Sequence, residues 1–130
     1  MAALDHITGL LDQIGIKYTQ ENERILTRWE TDSYDDLKVS IFTNRDESWL
    51  YFLAPFSNFR DLSTEQQNQL AVEMLRASWQ IDGVQFAIDD DEDIMVMAET
   101  NNMDLSPEQA ATLLKHVVGG CNLLHEIHPT

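Results

Sequence analysis

The sequence predicts an α+β domain in the order α-β-β-β-α-β-β-α, with a mainly antiparallel sheet and helices packed on it. Three observations predict it. Apolar residues recur at steps of three and four in three separate segments, the spacing of one helix face. Between these segments lie short runs of alternating polarity, joined by turn residues. Two helix starts carry a capping box. Strands linked by short turns, with helices inserted, argue for an antiparallel rather than a parallel sheet.

The elements follow in order. Leu4, Ile7, Leu11 and Ile14 form the first helical stripe, which Leu10 widens, while Asp12 and Gln13 face away. Gly15 stands where a left-handed residue would end that helix. Residues 25–30 read as a short strand with Ile25, Thr27 and Trp29 on one side. Residues 37–43 alternate, with Leu37, Val39 and Ile41 inward and Lys38 and Ser40 outward. Residues 49–54 are apolar on both sides, as expected of an interior strand or one with a covered outer face. Pro55 lacks a backbone donor and is expected to close that strand.

Ser63 followed by Gln66 is a capping box, with Leu62 placed as a staple residue. The helix it opens carries Leu70, Ala71, Met74, Leu75 and Ser78, broadened by Val72 and Trp79. That stripe is wider than one sheet face needs and allows two buried surfaces, one of them at a dimer interface. Residues 84–88 and 94–98 read as a hairpin around the turn Asp89-Asp90-Asp91-Glu92-Asp93. Ser106-Pro107-Glu108-Gln109 combines an N-cap, a first-turn proline and a second capping box. The last stripe runs through Ala110, Leu113, Leu114, Val117, Cys121 and Leu124. Gly119 and Gly120 interrupt it, marking either a kink or a close backbone approach. No internal repeat, long linker or low-complexity stretch divides the chain, so residues 1–130 read as one domain.

Composition narrows the function. Of 130 residues 43% are hydrophobic and 24% charged, an ordinary globular mixture that argues against disorder. The net charge of −15 is far from ordinary, and only eight Lys and Arg residues are present. Nucleic acids and anionic membranes bind through clustered cations, so both are poor partners for this chain. The charge keeps the domain soluble and would attract a basic polypeptide. Cys121 is the one cysteine, excluding an intrachain disulfide, and its apolar helical setting reads as a buried, inert thiol. No Lys or Arg precedes Lys17, so a signal peptide is not expected and a reduced cytoplasmic setting is.

Local chemical motifs are weak throughout. Asp89, Asp91 and Asp93 match the first positions of a calcium loop, but Ile94 stands where glycine is needed and Thr100 where the bidentate glutamate belongs. The turn therefore reads as a solvated hairpin, and no metal or cofactor is expected. His125-Glu126-Ile127-His128 has histidines three apart where a zinc helix needs four. With His116, these histidines read as solvated. No Gly-flanked serine, Cys/His signature or phosphate loop is present, so no catalytic residue is expected. The aromatics are more suggestive. Trp29, Trp49, Tyr51, Phe52, Phe56 and Phe59 crowd the first sheet and its exit, a surplus suited to a groove for apolar peptide segments.

The element order, the low pI and the wide second helix resemble YbjN-like proteins and the class I type III secretion chaperones, a CesT-like fold. The likeness is carried by Met74-Leu75-Arg76-Ala77-Ser78-Trp79, Val84-Gln85-Phe86-Ala87-Ile88, the Asp-rich turn, Ile94-Met95-Val96-Met97-Ala98-Glu99 and Leu105-Ser106-Pro107-Glu108-Gln109. The resemblance implies a non-catalytic homodimer that holds an extended polypeptide client, as a chaperone or regulatory adaptor. It implies peptide-binding residues Leu10, Trp29, Trp49, Tyr51 and Phe56 and a dimer surface at Val72, Met74 and Trp79. The alternative is a regulatory domain that senses a ligand or ion.

Overall fold

The computed structural model describes residues 2–128. Its elements are α1 (Ala2–Ile14), β1 (Tyr18–Glu21), β2 (Arg24–Trp29), β3 (Leu37–Thr43), β4 (Leu50–Asn58), a 3-10 turn (Phe59–Asp61), α2 (Thr64–Gln80), β5 (Gln85–Ile88), β6 (Asp93–Thr100) and α3 (Pro107–Ile127). All six strands join one antiparallel sheet in the order β1-β2-β3-β4-β6-β5. The α+β class and the helix-strand order hold, with one strand added.

Both capping boxes form. Ser106 Oγ accepts the Gln109 N–H at 3.1 Å, and Gln109 Oε1 accepts the Ser106 N–H at 2.9 Å. The Ser63/Gln66 pair does the same at the start of α2, at 3.2 and 3.0 Å. Each box satisfies two backbone donors that the helix itself leaves without partners. Gly15 takes φ +74°, the left-handed conformation that a helix-ending glycine adopts without strain.

The sheet differs from expectation in two places. β1 is polar, Tyr-Thr-Gln-Glu, so nothing in its pattern marks it as a strand; pairing with β2 supplies its stability. Pro55 does not end β4. The register to β6 shifts between Pro55 and Ser57, and this bulge absorbs the missing donor, so the strand continues to Asn58.

The three helices share one side of the sheet. α3 lies over β4 and β6, α1 beside it over β2 and β3, and α2 at the β5 edge. One core cluster joins Leu4, Ile7 and Leu11 of α1 to Ile25, Val39, Ile41, Phe52, Ile94 and Val96 of the sheet and Leu114, Val117, Cys121 and Leu124 of α3. Gly120 decides how closely α3 can approach. A Cβ there would stand 2.7 Å from Val96 Cγ1 and 3.2 Å from Val84 Cγ2, whereas one on Gly119 would meet nothing within 4 Å. The pair therefore marks a close backbone approach, and only Gly120 is needed for it. Among the described residues, no helix is long and apolar enough to cross a membrane.

Candidate functional site

α2 has two apolar faces. Leu70, Met74 and Ala77 point into the core. Val72, Leu75 and Trp79 lie on the opposite side of the helix, within about 60° of one another at 3.6 residues per turn. They are 47%, 75% and 91% exposed, and Ile88 on the neighbouring strand is 48% exposed. Between α2 and β5 runs a cleft of about 370 Å³ lined by Phe59, Ala71, Met74, Leu75, Phe86 and Ile88. Of the residues expected at a dimer surface, Val72 and Trp79 are open to a partner. Met74 is turned inward, 200° round the helix from Val72 at 100° per residue, and forms part of the cleft. Leu75 stands in the exposed stripe instead. Its signal was its spacing, three residues after Val72 and four before Trp79.

The five residues expected to bind peptide do not gather in one groove. Leu10 is 5% exposed and holds α1 in the core. Trp29 and Phe56 pack against the helix-covered side of the sheet. The Trp29 indole donates to Thr27 Oγ1 at 2.8 Å, and Thr27 Oγ1 donates in turn to the Val39 carbonyl at 2.9 Å. This relay satisfies the buried Thr27 hydroxyl and fixes the indole. Tyr51 alternates with buried Leu50 and Phe52 and so belongs to the outer face of β4. Trp49, 38% exposed, precedes it at the end of a turn in which Asn44 Oδ1 accepts the Ser48 and Trp49 N–H groups at 2.9 and 3.1 Å.

The acidic turn is tied together by its own hydrogen bonds. Asp89, Asp91 and Asp93 bring carboxylate oxygens within 4.8 Å of one another. Asp89 Oδ1 already accepts two backbone N–H groups of its own turn, from Asp91 and Asp93 at 2.9 Å. Asn58 at the end of β4 and Arg60 in the 3-10 turn brace the acidic turn, donating to Asp93 Oδ1 at 2.7 Å and Glu92 Oε2 at 2.7 Å. Its loop still lacks the glycine and glutamate of a calcium site. The histidines are half-buried rather than fully solvated: His116 covers Gly83, and the His125 ring meets Tyr34 edge-on at 5.5 Å. The Nδ1 atoms of His116 and His125 are buried without a hydrogen-bond partner among the described residues. Burial pushes the Cys121 thiol up to about 12, which removes the thiolate a nucleophile requires.

Solved structures with this architecture span almost the whole chain. One is the heterodimeric ExoU–SpcU complex of the type III secretion system of Pseudomonas aeruginosa, at TM-score 0.67 and 16% identity, covering 95% of this chain and 99% of the other. Another is YbjN of E. coli, a candidate transcription regulator, at TM-score 0.64 and 15% identity, covering 93% and 87%. The chain has the YbjN-like, type III secretion chaperone-like fold. The same fold is found in the Yersinia pestis secretion chaperone SycH, solved with a stable fragment of YscM2, at TM-score 0.61 and 17% identity over 94% and 98%. No protein-family profile and no curated protein sequence matches the chain. The YbjN-like fold thus rests on shape, since identities of this size are too low to carry residue roles across.

Proposed function

We propose that this protein is a non-catalytic module that holds a polypeptide segment, working as a homodimer in the cytoplasm, as a chaperone or regulatory adaptor. The observation that carries the reading is the outward stripe of α2. A tryptophan at 91% exposure, with Leu75 and Val72 on the same face, is apolar surface that a partner would remove from water. The neighbouring cleft and Ile88 extend it towards the open edge of β5, where unpaired backbone groups are available. Two such stripes packed together give a self-complementary interface of the kind a two-fold dimer uses. Secretion chaperones solved with a bound polypeptide share the fold, which supports the client half of the reading. Trp49 and Tyr51 offer client contacts outside the dimer stripe.

Sedimentation of the wild type and of a Leu75→Glu, Trp79→Ser double variant tests the dimer. The wild type is expected to sediment as a dimer and the variant as a folded monomer with unchanged circular dichroism. A wild type that stays monomeric at high concentration, or a variant that stays dimeric, would remove α2 from the interface. A crosslinked pull-down that returns one polypeptide in fixed stoichiometry would support the client half, and one that returns no polypeptide counts against it.

A further inference from the structure

The outward face of α2 carries no charge. At 100° per residue, every residue of the helix within about 60° of Leu75, from Thr64 to Trp79, is uncharged. The three charged residues of α2, Glu65, Glu73 and Arg76, lie about 80° or more away from Leu75. A chain of net charge −15 repels a copy of itself, so two copies meet most readily through a face of this kind. Depletion of charge is also what marks the centre of a protein interface.

The same face holds both a knob and a hole. Trp79, in the last turn, is 91% exposed. Asn68, Ala71, Val72 and Leu75 are spaced i, i+3, i+4 and i+7, the four corners of a hole that receives a side chain of a facing helix. Ala71 makes this hole deep, because its side chain is a single methyl group. It also borders, with Leu75, the cleft of about 370 Å³ between α2 and β5, so space continues beside it. Ala71 stands four residues before Leu75 and Trp79 four residues after it, each about 6 Å away along the helix axis. A two-fold axis beside Leu75 therefore sets α2 antiparallel to its copy, with each Trp79 level with the other copy's Ala71.

We propose that two copies join through an antiparallel α2 pair in which Trp79 of each enters the Asn68, Ala71, Val72 and Leu75 hole of the other. The inference rests on the homodimer reading and fixes how the copies meet. A second copy is the occupant because knob and hole are equidistant from one residue, which a two-fold requires and a client segment does not. Parallel helices would set the two indoles side by side, with no residue as small as Ala71 within a turn on the contact face except Ser78. They would also align the two helix dipoles, which the antiparallel pair opposes. Large aromatic anchors seated in holes carry most of the energy of such interfaces. With both indoles seated, the α2 stripe is closed to a polypeptide client.

Sedimentation of single variants and of their mixtures tests the register. Ala71→Glu puts a charge in the hole, and Trp79→Lys removes the knob. Each variant alone is expected to be a folded monomer, its dimerisation weakened about a thousandfold because two anchors are lost per dimer. An equimolar mixture of the two is expected to form a heterodimer, which regains one native Trp79–Ala71 contact and adds one Lys–Glu pair. A mixture of Trp79→Lys with Trp79→Glu is expected to stay monomeric, since neither chain then has a knob. Recovery in that second mixture means that position 79 meets itself across parallel helices, and overturns the inference. A Trp79→Lys chain that dimerises like the wild type overturns it too, as does failure of both mixtures beside a dimeric wild type; the homodimer reading survives both results. A wild type that is monomeric overturns both. If circular dichroism shows that Ala71→Glu does not fold, Asn68→Glu at the exposed rim of the same hole takes its place, with the same outcomes expected.

Discussion

The Gly119-Gly120 pair shows how one chain position differs from the next. Both residues interrupt the last helical stripe, and both cost helix stability through backbone freedom. A methyl group on Gly119 meets open space, while one on Gly120 meets Val96 and Val84. Gly119→Ala is therefore expected to stabilise the protein by about 0.5–1 kcal/mol. Gly120→Ala is expected to destabilise it by about 1–3 kcal/mol, because α3 or the two valines must move. Urea denaturation of the two variants checks both signs. Cys121 and Tyr34 carry a second residue-scale prediction. Burial raises Cys121 from 9.0 and Tyr34 from 10.0, each to about 12. The unfolded chain loses these protons first, so their contribution is complete below pH 9 and is lost as pH rises from 9 towards 12. Stability measured across that range should fall, and Cys121→Ala should flatten the fall between pH 9 and 10. A decline of the same slope in the variant would show that the thiol is not its source.

At the scale of the element, helices were legible where chemistry is local. Ser63-x-x-Gln66 and Ser106-x-x-Gln109 announce helix starts because the cap lies within four residues of sequence, and both boxes close. Ser106→Ala should cost about 1 kcal/mol, lowering the melting temperature by roughly 3–5 °C in a domain of this size. An unchanged melting curve would mean that α3 is held by packing alone. β1 was illegible for the converse reason: its four polar residues are a strand only because β2 offers a register. Pro55 misled because a bulge, set by the partner strand, absorbs it. The candidate sites divide in the same way. Val72 and Trp79 could be read from a stripe too wide for one face, but the inward turn of Met74 depends on where α2 meets the sheet. Leu10 was legible as apolar, yet only the packing of α1 shows that it is buried. The outer side of β4 was visible in part, since residues 49–54 are apolar on both sides. That the outer side lacks a cover could not be read, because it depends on all three helices choosing the same side.

At the scale of the whole molecule, net charge sets the background stability. Eight cations can neutralise at most eight of 23 acids, so fifteen negative charges remain unmatched. The two Arg ion pairs among the described residues, Arg28–Asp36 and Arg60–Glu92, are exposed and together offset little of this repulsion. The compact state therefore holds charges closer together than the unfolded chain does, and screening should favour it. The Debye length falls from about 30 Å at 0.01 M salt to about 3 Å at 1 M. Over that range of sodium chloride the melting temperature is expected to rise by several degrees, and neutral sucrose at matched osmolality separates screening from general exclusion. A melting temperature that falls with salt would mean that the few ion pairs outweigh the repulsion.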